Sequence, residues 1–278
     1  MRSAKPSRFF SRPSETFAPD PRLAGWILAD PANPLHQIVH MISSGTTVLD
    51  VGAGNGILAN LLAAIGKKVA IDAVEPNTDA QKLAAPHYGS LFAGGLEEYL
   101  RTPVEKKYSY IVMADVLEHI AYPESLLENL KERLVHDGLL LVSIPNVAFA
   151  NIRFKLLNGE FRYTDSGILE RTHLRFYTQE TLYSLFNAVG WYPQRQIDCL
   201  RDPMTSSPQL MESPFSPCCF AKACKDPLAN IFHFVMALSP KPTHTPTHTC
   251  VGAKKRYAAL RYISRYLFHT CRKAMGKS

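Results

Sequence analysis

The sequence predicts an α/β fold: a doubly wound, mostly parallel seven-stranded sheet with helices on both faces. Three observations carry that expectation. Short β-branched apolar runs alternate with helical patterns from residue 46 to 144, at intervals of about 20 to 30 residues, the rhythm of βα units. The first such run ends in an acid and opens into glycines at 52, 54 and 56, a strand-to-helix turn. The chain of 278 residues, 46% apolar and 20% charged, suits one domain of about 200 to 250 residues with extensions.

The elements follow in order. Residues 46–51 read as the first strand and 56–65 as an apolar helix. Residues 68–74 form the second strand, 77–85 its helix, and 90–93 a short third strand. The fourth strand is 110–114, followed by a helix over 124–134 with Pro123 at its start and a fifth strand at 138–144. Beyond Pro145 the rhythm gives way to a polar and aromatic stretch up to Tyr177, an insertion or lid. Thr178 supplies a side-chain oxygen to open a helix that stops near Gly190. Residues 191–200 and 231–238 supply the last two strands, with 201–227 as a long loop.

This gives four regions: a basic arm and lead-in at 1–30, the main domain at 31–240 with its insertion at 145–177, a Pro/Thr/His linker at 241–252, and a basic amphipathic tail helix at 253–278. The net charge of +7 resides at the ends. Residues 254–278 hold eight basic side chains and no acid, and Arg2, Lys5, Arg8 and Arg12 precede the first acid, Glu15. The body is mildly acidic, so the basic balance does not describe a nucleic-acid cleft. No run approaches the roughly 18 apolar residues of a membrane span, and the first twenty residues lack a signal-peptide core, so a cytoplasmic protein is expected. Six cysteines, all in the last eighty residues and without a CxxC pair, read as reduced thiols rather than as a zinc cluster with His244 and His248.

The chemistry concentrates in Val48-Leu-Asp-Val-Gly-Ala-Gly-Asn-Gly56. A dinucleotide fold spaces its glycines G-x-G-x-x-G beneath a pyrophosphate; here the spacing is G-x-G-x-G and Asp50 sits two residues before the first glycine. An acid at that turn suits a phosphate-free, cationic ligand. Glu75, nineteen residues after Gly56, ends the second strand where a carboxylate accepts ribose hydroxyls. The pair points to S-adenosyl-L-methionine.

On these residues the sequence resembles the class I S-adenosylmethionine-dependent methyltransferases, which have a Rossmann-like sheet. Ala114-Asp-Val-Leu-Glu-His-Ile120, Ser143-Ile-Pro-Asn-Val147 and Arg171-Thr-His-Leu-Arg-Phe-Tyr-Thr178 further resemble a bacterial subgroup associated with surface-polysaccharide and glycolipid assembly, and relatives of the ubiquinone-pathway O-methyltransferases. The resemblance implies that Asp50, Gly52, Gly54 and Gly56 line the methionine part, that Glu75 binds the ribose, and that Asp115 lies by the sulfonium. Two departures stand out. Gly94-Gly95-Leu96 replaces an acid that usually holds the adenine, leaving backbone N–H groups at Leu96, and Tyr108-Ser109 replaces an aromatic-Asp pair.

For a hydroxyl acceptor a base is needed, and His119 and His173 are the candidates, with Arg171, Arg175 and Asn146 contacting the acceptor. His173 and Arg175 could equally latch the insertion to the body. Asp115, Glu118 and His119 are read as a hydrogen-bond network, with no metal expected. The expected acceptor is a sugar, glycolipid or quinone-like small molecule. The tail helix suits peripheral contact with an anionic membrane at its inner face, with docking on a partner protein as the rival and nucleic acid not expected. A cofactor-binding module without turnover, an RNA methyltransferase and an NAD-dependent oxidoreductase are the alternatives.

Overall fold

The structure, a computed structural model, describes residues 22–203, 226–242 and 246–252; the basic arm to residue 21, most of the long loop and the tail helix lie outside the described residues. Two helices not read from the sequence open it, α1 (Leu23–Ala29) and α2 (Pro34–Met41). Asn33 caps α2 by accepting from the Leu35 N–H at 3.0 Å, and Pro34 starts it. The alternating units follow as β1 (Thr47–Val51), α3 (Ile57–Ala64), β2 (Ala70–Glu75), α4 (Thr78–Ala84), β3 (Ser90–Ala93), α5 (Leu96–Leu100), β4 (Tyr108–Ala114), α6 (Pro123–Leu130) and β5 (Leu134–Pro145). The chain then passes through α7 (Ala150–Leu157), α8 (Gln179–Ala188), β6 (Tyr192–Leu200), β7 (Ile231–Ser239) and β8 (Thr247–Gly252).

The sheet order is β3-β2-β1-β4-β5-β7-β6-β8. Strands β1 to β5 pair in parallel, while β7 runs antiparallel between β5 and β6. The seven expected strands are all present, and an eighth is added. Residues 247–252, read as the end of a linker, form β8 and pair in parallel with β6. The Pro/Thr composition of the repeat concealed a Thr-His-Thr-Cys-Val run whose β-branched residues suit an edge strand.

Successive residues of the central strands enter opposite cores, as a sheet covered on both faces requires. Val48 and Val112 join Ile38, Leu61 and Val235 on one side, whereas Leu49 and Met113 join Leu127, Trp191 and Phe234 on the other. Trp191 is fully buried and its indole N–H donates to the Leu127 carbonyl at 2.7 Å, so burial leaves no unpaired donor.

Helix α5 carries Leu96 and is clamped at its other end by Arg133. That buried guanidinium donates to the carbonyls of Tyr99, Leu100, Thr102 and Pro103 and stacks 4.7 Å from the Tyr99 ring. The insertion is closed at its neck: Val147 N–H donates to the Tyr177 carbonyl at 2.9 Å, and α7 packs Ile152 with Phe149, Ile168 and Leu169 into a small core of its own.

Candidate functional site

The strand order reverses between β1 and β4, and in such sheets the crevice beyond the carboxyl ends of the strands is where ligands bind. Gly52, Gly54 and Gly56 all adopt positive φ, at 73°, 55° and 84°. The reasons differ. A Cβ on Gly52 would come within 2.7 Å of Val116 Cγ2, and one on Gly56 within 3.0 Å of the His87 ring and 3.3 Å of Ala84 Cα. A Cβ on Gly54 would meet nothing within 4 Å, because its backbone faces open space. The turn is anchored by Glu75, whose buried carboxylate accepts from Gly54 N–H at 2.7 Å and from Asn77 N–H at 2.8 Å.

Opposite this turn, Asp115 follows β4 with φ 54°, the one positive φ outside glycine among the described residues. Ser143 on β5 holds it there. The Asp115 N–H donates to the Ser143 carbonyl and hydroxyl, both at 3.1 Å, and the Ser143 hydroxyl donates to Asp115 Oδ1 at 2.7 Å. His233 on β7 brings Nε2 to 3.5 Å from the same oxygen. A strained backbone with an oriented carboxylate is a mark of a working position.

Between the two turns lies a cavity of about 480 Å³ whose walls include Gly52, Gly54, Glu75, Leu96, Asp115 and His119. The insertion adds Glu170 and Thr172 to the same wall. Three carboxylates and no lysine or arginine line this space. A pyrophosphate would find no counter-charge in it, whereas a cation would.

Residues 22–196 match a family described as a methyltransferase domain. The chain belongs to the class I S-adenosylmethionine-dependent methyltransferases. Distant relatives of the methyltransferase are named ubiquinone biosynthesis O-methyltransferase. The one from Glaesserella parasuis is 32% identical over 56% of this chain and 66% of its own length. That from Paraburkholderia phytofirmans is 27% identical over 46% and 60% respectively. The match thus spans less than two thirds of either relative. Among solved structures, a methyltransferase from Archaeoglobus fulgidus superposes with a TM-score of 0.50 at 16% identity, covering 74% of this chain and 91% of that one. Magnesium protoporphyrin IX methyltransferase from Synechocystis, with bound S-adenosylhomocysteine, gives 0.50 at 13% identity, covering 76% and 84%. At these identities the likeness is one of fold.

The residues fit the cofactor this family uses. The Gly54 backbone lies open to a ligand, Glu75 presents a fixed carboxylate at the end of β2, and Asp115 supplies negative charge on the facing wall. Of the residues expected to bind it, Gly52, Gly54, Glu75, Leu96 and Asp115 share the cavity; Gly56 and Asp50 lie outside its lining. Asp50 is buried beneath the turn and accepts from the Tyr88 hydroxyl at 2.5 Å. Burial, reinforced by the Glu75 charge, pushes its carboxyl up to about 7 although the Tyr88 bond opposes this. Asp50 thus braces the turn from beneath.

On the acceptor side, His119 lines the cavity and its Nδ1 lies 3.2 Å from the Thr172 carbonyl. A carbonyl only accepts, so Nδ1 is the donor and, in the neutral imidazole, Nε2 is the acceptor. His173 stacks edge-on with His119 at 4.8 Å between ring centres but is buried behind it, with Nδ1 on the Ile168 carbonyl at 3.0 Å. Burial holds His173 below the ordinary histidine range.

The three residues expected to contact the acceptor have partners within the protein. Asn146 is fully buried at the neck: its amide nitrogen donates to the Ile231 and Leu228 carbonyls and its oxygen accepts from Ala148 N–H. Arg171 pairs with Asp165 inside the insertion. Arg175 donates to the Ala121 carbonyl at 2.6 Å and stands 3.9 Å from Glu124, the latch that was the alternative. Asp115 does not join the side chains placed for metal binding; Glu118, His119 and His173 each offer a ligand atom within 4.8 Å. Ser143, Tyr88 and His233 escaped the sequence reading. His233 sits in an apolar run, and only the antiparallel register that sets it opposite Pro145 brings it to the site.

Proposed function

We propose that this methyltransferase transfers its methyl group to a hydroxyl oxygen of a small acceptor of the sugar, glycolipid or quinone-like class. The observation that carries the reading is His119, a cavity-wall imidazole whose Nδ1 contact with the Thr172 carbonyl makes Nε2 the accepting nitrogen of the neutral ring. Bound in the cavity, S-adenosylmethionine supplies an electrophilic methyl group next to a positive sulfur. Glu75 accepts the ribose hydroxyls, Leu96 N–H serves the adenine, and Asp115, oriented by Ser143, compensates positive charge. His119 takes the acceptor's hydroxyl proton as the oxygen attacks. Glu170 and Thr172 from the insertion narrow the opening and exclude water.

Support for an oxygen acceptor also comes from the relatives' names. A second hollow of about 280 Å³, with Phe149, Phe232, Lys155 and Arg201 in its walls, offers aromatic faces and cations to a sugar or anionic headgroup. The eight basic side chains of 254–278 favour an acceptor presented at the cytoplasmic face of an anionic membrane. Among the described residues no helix is long and apolar enough to cross one.

Calorimetry with S-adenosylhomocysteine on wild type and Glu75→Ala tests the cofactor placement: loss of a charge-assisted contact weakens binding by about 1.5 to 3 kcal/mol, and equal affinities overturn it. A methyl-transfer assay against phenolic, sugar and amine acceptors tests the rest. Transfer to amines with none to hydroxyls overturns the oxygen assignment.

A further inference from the structure

A second cluster of chemistry-bearing side chains lies across the β6–β8 pair, remote in the sheet order from the β1–β4 switch point. Asp198 of β6 is in register with Cys250 of β8, and Gln196 with His248. Residues two apart on a strand share a face, so Asp198, His248 and Cys250 converge on one side of the sheet. His248 Nε2 lies 2.6 Å from Asp198 Oδ2, Cys250 Sγ lies 3.8 Å from it, and the three ligand atoms all fall within 4.8 Å of one another.

Asp198 is 1% exposed, an unusual setting for a carboxylate at the edge of a sheet. It is held from behind by a relay: Tyr183 OH donates to Gln196 Oε1 at 2.8 Å, and Gln196 Nε2 donates to Asp198 Oδ1 at 2.7 Å. One carboxylate oxygen is thereby fixed and the other is aimed at the histidine and the thiol. Such outer hydrogen bonds orient metal ligands.

We propose that Asp198, His248 and Cys250 bind a zinc ion that fastens β8, and with it the start of the basic C-terminal segment, to the sheet. One sulfur, one nitrogen and one oxygen form a donor set suited to this borderline-soft ion. Bonds of about 2.0 to 2.3 Å in a tetrahedron separate ligand atoms by about 3.3 to 3.7 Å. The 2.6 Å pair opens slightly and the widest separation of up to 4.8 Å closes by rotation of His248 and Cys250, both exposed. On binding, the thiol releases its proton to solvent and the thiolate joins the metal; a water completes the fourth position. Burial of Asp198 then has a reason that a surface His–Asp contact alone does not supply.

The full chain is stripped with EDTA, desalted and titrated with Zn²⁺ against a chromophoric chelator, with Co²⁺ as the spectroscopic substitute. Wild type binds about one equivalent, and the Co²⁺ form shows a thiolate-to-metal charge-transfer band. His248→Ala and Cys250→Ser lose that equivalent and the band while keeping wild-type affinity for S-adenosylhomocysteine. In the unmutated protein, Zn²⁺ protects Cys250 from alkylation, read at the peptide level, and slows amide exchange across 247–252. An unchanged stoichiometry in Cys250→Ser, a Co²⁺ spectrum without the band, or equal alkylation of Cys250 with and without Zn²⁺ overturns the proposal and leaves a hydrogen-bonded Asp–His pair.

Discussion

His173 Nε2 stands 4.0 Å from Glu118 Oε1, and both side chains are buried beside His119 of the cavity wall. Among the described residues, neither carboxyl oxygen of Glu118 has a hydrogen-bond partner. At 4.0 Å the two side chains approach without a hydrogen bond, and His173 donates from Nδ1 to the Ile168 carbonyl. Burial, and then the Asp115 charge, hold the Glu118 carboxyl well above the ordinary carboxylate range. The raised carboxyl favours the protonated form of Glu118, and the backbone carbonyl of the same residue receives the N–H groups of Leu174 and Arg175 that anchor the insertion.

This sets a pH dependence whose sign is fixed. Glu118 is protonated in the folded state above its ordinary value of 4.5, while in the unfolded chain it has ionised. The folded state binds the extra proton, so stability falls as pH rises from about 5 through neutrality. Glu118→Gln cannot ionise. Its melting temperature should match wild type near pH 5 and exceed it increasingly toward pH 8; parallel curves would show that Glu118 is ionised in the fold.

His119 should behave as a base and not as a scaffold. His119→Asn should lower kcat about 100-fold or more with a hydroxyl acceptor, while S-adenosylhomocysteine affinity changes by less than about threefold. Loss of affinity in step with kcat would assign the residue to cofactor binding alone.

Much of this was legible in the residues themselves. The sheet from β1 to β5 and its glycine turn were readable because βα units leave short apolar strands and a turn that only glycine tolerates. Glu75 was singled out because it ends a strand, and Asp115 by the family resemblance of its motif. The partners of Asn146, Arg171 and Arg175 were harder to read, because the positions of those backbone and carboxylate groups depend on how the insertion folds back. Two relations had no local signal: Asp50 meets Tyr88 across thirty-eight positions, and β8 joins β6 across fifty-two.

Tyr88→Phe tests the bracing of the turn. The Tyr88 hydroxyl is the group that lowers a carboxyl otherwise raised by burial, so its removal drives Asp50 above about 7. A raised folded-state value means stability that is intact below the ordinary 3.8 and declines up to the folded value; the variant extends that decline to higher pH. Thermal unfolding should show a cost of about 1 to 3 kcal/mol at pH 8 and a smaller one at pH 5. A constant cost would locate the effect in packing.

Gly52 and Gly54, the first two glycines of the turn, should separate stability from binding. Gly52→Ala adds a Cβ 2.7 Å from Val116 Cγ2 on a backbone at φ 73°, so it meets both a clash and left-handed strain, and should destabilise the fold by about 1 to 3 kcal/mol. Val116→Ala in the same chain removes the clash and should restore part of the loss, a coupling that a double-mutant cycle measures. Gly54→Ala carries strain at φ 55° but no clash within 4 Å, so its thermal stability should fall less. Its Cβ would occupy the space the cofactor needs beside the Gly54 N–H, and S-adenosylhomocysteine affinity should drop at least about tenfold. Gly54→Ala with wild-type affinity would mean that the open space beside this turn is solvent and not the cofactor's seat.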